Sequence, residues 1–163
     1  MLYFVKEIGV DLVMILFKYT CINLEINNDE QVAGFEIELG EEWNDLAVYE
    51  VNRNGKIINN NHKTIVLNKD WLNNFLKFIV GQKEIKNLSS WIYKLGNHST
   101  EHRFVIEGTG WNKEITLYNL GKLENFDYQS YKNEELVLLE FFDKVIELLK
   151  QQNIELSYNS VKI

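Results

Sequence analysis

Three histidines and a single cysteine are all the imidazole and thiol groups that this 163-residue chain owns, and most catalytic and metal-site readings must draw on them. The histidines fall in two short polar patches, His62-Lys63-Thr64 and His98-Ser99-Thr100-Glu101-His102. On a β-strand, residues i and i+2 face the same way, so His62 with Thr64, and His98 with Thr100, can each present an imidazole and a hydroxyl to one side. Two imidazoles can serve as acid and base around a phosphate while two hydroxyls hold its oxygens. His98 and His102 also stand i and i+4 apart, the spacing of two metal ligands on one helix face. The Gly96-Asn97 stop before them and the strand signal Phe104-Val105-Ile106 after them argue against that helix. On a strand, His98, Thr100 and His102 share a face and Glu101 points away, so a third ligand must come from elsewhere. No HExxH pattern occurs, and neither a metal nor a cofactor is expected.

The tripeptides His62-Lys63-Thr64 and His98-Ser99-Thr100 resemble the paired His-x-Thr/Ser motifs of the two-histidine phosphoesterases. The resemblance covers those residues alone. It implies, as the alternative reading, a phosphoesterase-like enzyme with His62, Thr64, His98 and Thr100 as its catalytic set. The chain departs from that family in two ways. Glu101, His102 and Arg103 follow the second motif where a buried strand wants apolar residues, and the motifs sit too close together for a duplicated, two-lobed layout.

Carboxylates supply the leading reading. Asp29 and Glu30 precede a run containing Glu36, Glu38, Glu41, Glu42 and Asp45, with Trp43 inside it. A glycosidase needs two carboxyls of opposed proton affinity, and nothing in this spacing marks such a pair. As a recognition surface the run is more informative, because charge steers an opposite partner and tryptophan anchors interfaces. With 17 basic against 24 acidic residues, the net charge of −7 disfavours nucleic-acid binding, which draws on a cationic face. It suits a basic partner. The expected function is therefore a small acidic protein that occludes a basic protein, such as a toxin or nuclease, in the manner of immunity proteins, antitoxins and phage inhibitors. Asp29, Glu30, Glu36, Glu38, Glu41, Glu42, Trp43 and Asp45 are its expected contact residues. Trp71, Trp91 and Trp111, with Tyr49, Tyr93, Tyr118, Tyr128 and Tyr131, offer stacking surfaces, of which Tyr128 and Tyr131 lie in a polar loop.

The elements that must position these residues follow from periodicity. A 45% hydrophobic content supports a real core in one domain spanning residues 1–163. Proline is absent, so glycine and asparagine punctuate the chain. The run Leu12 to Phe17 is too short to span a membrane, no signal-peptide pattern precedes it, and the lone Cys21 reads as a buried small hydrophobe; a cytoplasmic location is expected. Residues 19–40 alternate as a hairpin, with Thr20, Ile22, Leu24 and Ile26 as one apolar set and Ala33, Phe35, Ile37 and Leu39 as the other. Leu46 to Val51 reads as a strand, Asn54-Gly55 as a tight hairpin turn with Ile57 and Ile58 returning, and Thr64 to Leu67 as a further short strand. Helix spacing runs from Trp71 to Ile79 after Asn68 and before Gly81, and a second short helix is expected at Leu88–Leu95. Phe104 to Ile106 and Ile115 to Tyr118 form strands around a Gly108-Thr109-Gly110 turn. A long amphipathic helix over 133–151 carries Leu138, Phe141, Phe142, Val145, Leu148 and Leu149 on one stripe. Residues 154–163 are expected as an edge strand or a tail. The sum is an α+β fold: a largely antiparallel, twisted sheet of hairpins, two short helices, and the last helix packed on one face.

Overall fold

A computed structural model describes residues 14–40, 44–58, 63–92, 97–108, 110–120 and 129–163, with side chains from 133 onward in the last stretch. The strands are β1 (Leu16–Asn23), β2 (Gly34–Gly40), β3 (Asp45–Val51), β4 (Lys63–Val66), β5 (Trp91–Ile92), β6 (Thr100–Glu107), β7 (Lys113–Tyr118), β8 (Glu155–Leu156) and β9 (Val161–Lys162). The helices are α1 (Lys69–Val80), α2 (Lys83–Lys86) and α3 (Gln129–Lys150). Seven strands form one sheet in the order β4-β3-β2-β1-β6-β7-β5, antiparallel throughout except where β5 joins β7 in parallel, and β8 and β9 make a separate hairpin. The mixed α+β architecture is as the sequence predicts.

The pleat sends alternate residues to opposite faces. Phe17, Tyr19 and Cys21 of β1, Ile37 and Leu39 of β2, Phe104 and Ile106 of β6, and Ile115 and Leu117 of β7 point to one side and are buried there. Against them pack Trp71, Leu72, Phe75, Leu76 and Ile79 of α1 and Leu138, Phe141, Phe142, Val145 and Leu149 of α3. Aromatic rings carry much of this contact: Tyr19 and Phe142 lie 4.5 Å apart between centroids, and Phe17 meets Phe75 at 6.0 Å. Asn68 caps α1 by accepting from the Trp71 backbone N–H at 3.0 Å, and the Trp71 indole donates to the Leu148 carbonyl of α3 at 3.0 Å. The two helices are thereby joined to each other as well as to the sheet.

Three expectations need correcting. In β1 the inward set is Phe17, Tyr19 and Cys21, whereas Ile22 enters a second, smaller cluster with Ala33 and Val51 on the opposite face, against which Leu24 and Ile26 pack. That cluster is the source of the alternation read as core. The helix expected at 88–95 is instead the short strand β5, with residues 93–96 outside the described set. Glu134 of α3 accepts from the Ser89 backbone and hydroxyl at 2.5 and 3.0 Å, and the Ser90 carbonyl accepts from Thr116, so the segment joins the sheet edge. Residues 154–163 are neither an edge strand of the main sheet nor a tail. Ile154 and Leu156 are buried, and the Tyr158 carbonyl accepts from the Tyr19 hydroxyl at 3.1 Å.

Asn54-Gly55 does turn the chain: Gly55 sits at φ 82, and the Asn52 side chain accepts from the Asn54 and Lys56 backbones. The returning segment does not run on evenly. Val51 opposes Ile57, yet Val48, three residues back, opposes Lys63, six residues on. The outer border of β3 is thus covered in two pieces whose registers do not match.

One glycine is decisive for the sheet. A Cβ at Gly34 would lie 1.8 Å from the Cys21 carbonyl oxygen, so β1 and β2 approach as closely as they do only with hydrogen at that position. Gly34→Ala is expected to destabilise the fold by about 3 kcal/mol in urea unfolding. Gly81→Ala, at a helical φ of −77 with the nearest atom at 3.4 Å, should change stability far less. Equal effects for the two would contradict this account.

Candidate interaction face

All described helices pack on one side of the main sheet, so its other side is free of any helix among the described residues. Strand register lays out that side as rows. Tyr49, Glu36, Thr20, Arg103 and Thr116 form one row across five strands; Thr64, Ala47, Glu38, Lys18, Val105 and Glu114 form the next. Asp45, Val66 and Glu107 continue the pattern at one end, and Ile22, Glu101 and Tyr118 at the other. The strands place Glu36, Glu38 and Asp45 on this one face. It also carries Glu101, Glu107 and Glu114, which the acidic run in the sequence does not include. A period-two reading of β6 and β7 outward from Phe104 and Ile115 turns them away from the core, but only the pairing of β6 with β1 sets them on the face of Glu36 and Glu38. Against these six carboxylates, the described strand residues of the same face include two cations, Lys18 and Arg103.

Local pairing moderates that charge. Lys18 reaches Glu38 at 3.4 Å, Arg103 is bonded to Glu101, and the Thr20 hydroxyl donates to Glu36 at 3.3 Å. Burial in this row raises the proton affinity of Glu36 above that of an ordinary carboxyl, the nearby Lys18 and Arg103 charges only partly offsetting it. Asp29 and Glu30 are exposed in the loop between β1 and β2. There the Asn52 amide donates to the Asp29 carbonyl at 2.9 Å and Arg53 lies 3.9 Å from its carboxylate. This is the Val51 end of β3, about 20 Å along the strand from Asp45, so the acidic residues form a band and not a point. Glu41, Glu42 and Trp43 lie outside the described residues.

The histidine patches are placed differently. Thr64 stands on the outer strand β4 and Thr100 on β6, with three strands between them. Thr64 is level with Val105 and not with Thr100, which puts the two hydroxyls about 25 Å apart. His62 lies outside the described residues. His98 precedes β6 and turns its ring flat against Tyr118, 4.3 Å away and within 3° of parallel. His102 points the other way, into the core. Its Nδ1 lies 2.7 Å from the Tyr19 hydroxyl and its Nε2 3.1 Å from the Thr100 hydroxyl, so of the three residues expected on one face only Thr100 and His102 meet. The alternation of His102 with Phe104 and Ile106 was the signal that it turns inward. When Tyr19 donates its one hydrogen to the Tyr158 carbonyl, its oxygen is left to accept, so Nδ1 of His102 is the donor in that contact. Asn119, held at φ 52, extends this chain by accepting from the Ser99 and Thr100 backbones and donating to the Asn97 carbonyl. Among the described residues no three of His, Cys, Asp and Glu converge to hold a metal ion.

Two further features border the sheet. An open cleft of about 940 Å³ lies between the C-terminal hairpin and β2–β4, lined by Phe35, Val48, Glu50, Lys63, Val161 and Ile163 among others. At the far border, Trp91 of β5 is 55% exposed and meets the Tyr118 ring edge-on at 6.2 Å. Of the other proposed stacking residues, Trp71 is buried and Trp111 packs against the core; Tyr93, Tyr128 and the side chain of Tyr131 lie outside the described set. The chain matches no known protein family and no curated protein.

The raised proton affinity of Glu36 gives a pH signature. The unfolded chain releases this proton near 4.5 and the folded chain only at higher pH, so folding stability is lost as pH rises through that interval and the loss persists at neutrality. Glu36→Gln should therefore raise the midpoint of thermal unfolding at pH 7. The gain should vanish below the ordinary value of 4.5, where the carboxyl is protonated in both states. A variant less stable than wild type at pH 7 would contradict the assignment.

Proposed function

We propose that this chain is a binding protein that occludes a basic protein partner through the helix-free face of its sheet, in the manner of an immunity protein, antitoxin or phage inhibitor. The observation that carries the reading is the composition of that face, where Glu36, Glu38, Asp45, Glu101, Glu107 and Glu114 stand against Lys18 and Arg103. A broad sheet face ordered by strand register presents charge at fixed spacing and loses little entropy on docking. Nucleases and other nucleic-acid machines present cationic grooves, and an acidic face of this kind fills such a groove and raises the rate of encounter. Glu36 adds to the argument: burial disfavours its ionised form, and an incoming cation would relieve that penalty. The catalytic alternative lacks comparable support, because Thr64 and Thr100 are far apart.

The test is capture of partners from source-cell lysate, followed by reconstitution of each purified pair with wild type and with Glu107→Lys/Glu114→Lys. Both positions are exposed, so the double variant should fold normally. Affinity for a true partner should fall about tenfold or more in the variant, and wild-type affinity should weaken as salt rises from about 0.05 to about 0.5 M. A purified pair indifferent to both changes would remove the proposal.

A further inference from the structure

We infer that the Trp91 indole, with Glu114 beside it, is the anchor point of the acidic face and receives an arginine side chain of the partner. The inference rests on the basic-partner reading and names the contact that gives it specificity. Trp91 sits on the outermost strand β5, directly opposite Thr116, and is 55% exposed. An indole so exposed, on a face that is mostly polar apart from residues such as Val66 and Val105, is the kind of residue that dominates an interface when buried by a partner. Its position is fixed from behind: the Tyr118 ring meets it edge-on at 6.2 Å, and His98 lies flat against Tyr118 at 4.3 Å. Two rings, Tyr118 on β7 and His98 just ahead of β6, thus back the indole before any partner arrives, which lowers the entropy lost on binding.

The chemistry of the occupant follows from what flanks the ring. Glu114 and Tyr118 stand two residues to either side of Thr116 on the same face of β7. Sheet geometry puts the Cα of Glu114 about 8 Å from that of Trp91, within reach of one side chain bridging both. Glu114 is exposed and carries a charge available to an incoming group. An aromatic surface next to a carboxylate selects a cation, since the ring quadrupole attracts positive charge over its face. A guanidinium fits better than an ammonium, because it is planar, stacks on the indole and still directs N–H groups sideways to a carboxylate.

Acetylated tetra-arginine and tetra-lysine amides, titrated into the full chain at low salt, test this. The Trp91 indole N–H resonance, identified by its absence in Trp91→Phe, should shift most with tetra-arginine. Tetra-lysine should bind about threefold more weakly or worse. Trp91→Ala and Glu114→Gln should each weaken tetra-arginine by about threefold or more, and Trp91→Phe should fall between wild type and Trp91→Ala. Circular dichroism of each variant establishes that the fold is retained. Unchanged affinity in Trp91→Ala, or equal binding of the two peptides, overturns the inference. If affinity instead falls only in Glu36→Gln/Glu38→Gln, the acidic face stands as the binding surface and the arginine anchor does not. If neither peptide binds wild type, the anchor fails, and the purified-partner experiment alone then decides the face.

Discussion

The hydroxyl of Tyr19 is the junction on which the interior depends. A phenol buried this deeply needs partners for both its hydrogen and its lone pairs, and burial, reinforced by the neighbouring Cys21 and Tyr158, pushes its ionisation well above the ordinary range, so it stays neutral. It finds His102 on the neighbouring strand β6 and the carbonyl of Tyr158 in the C-terminal hairpin. Its ring meanwhile packs against Phe35, Phe104 and Phe142, drawn from both flanking strands and from α3. One side chain thereby joins the sheet centre, the long helix and the end of the described chain. The Tyr158 hydroxyl bonds Asp143 on α3, so the hairpin is held from two directions. This arrangement explains why residues 154–163 fold back instead of trailing away.

Much of the architecture was legible in periodicity. The alternation of Phe35, Ile37 and Leu39, the helix spacing from Trp71 to Ile79 and the α3 stripe all reflect one core, and each element turns the residues its pattern marks toward it, Phe35 and Leu148 only partly buried. The pattern failed where a segment serves two faces. Residues 15–22 are nearly all apolar except Lys18 and Thr20, because β1 is the central strand and is covered on both sides by its neighbours' side chains. Such a run carries no clear period, and the visible alternation around Ile22 belongs to the lesser cluster. The strand β5 was hidden for another reason: its placement comes from Glu134 and Thr116, distant in sequence, and not from its own two residues.

The candidate surface was legible in part. Glu36 and Glu38 alternate with buried residues, and their common face follows from that alone. Glu101, Glu107 and Glu114 enter the same surface only because β6 pairs with β1, a neighbour that the sequence does not reveal. His102 shows the converse. A histidine in a polar pentapeptide reads as a site residue, yet strand pairing sends it inward, where it hydrogen-bonds with Tyr19 and Thr100.

The mismatched pairing along the outer border of β3 has a consequence for self-association. A straight outer strand offers a continuous row of backbone groups on which a second chain can build, and this is the usual route to edge-to-edge aggregation. Here, among the described residues, Ile57 and β4 meet β3 in registers that do not match, and at the opposite border the described part of β5 is two residues long. Among the described residues neither border presents a long template. Short, out-of-register borders of this kind are poor templates for backbone pairing, which leaves the side chains of the helix-free face as the broader surface.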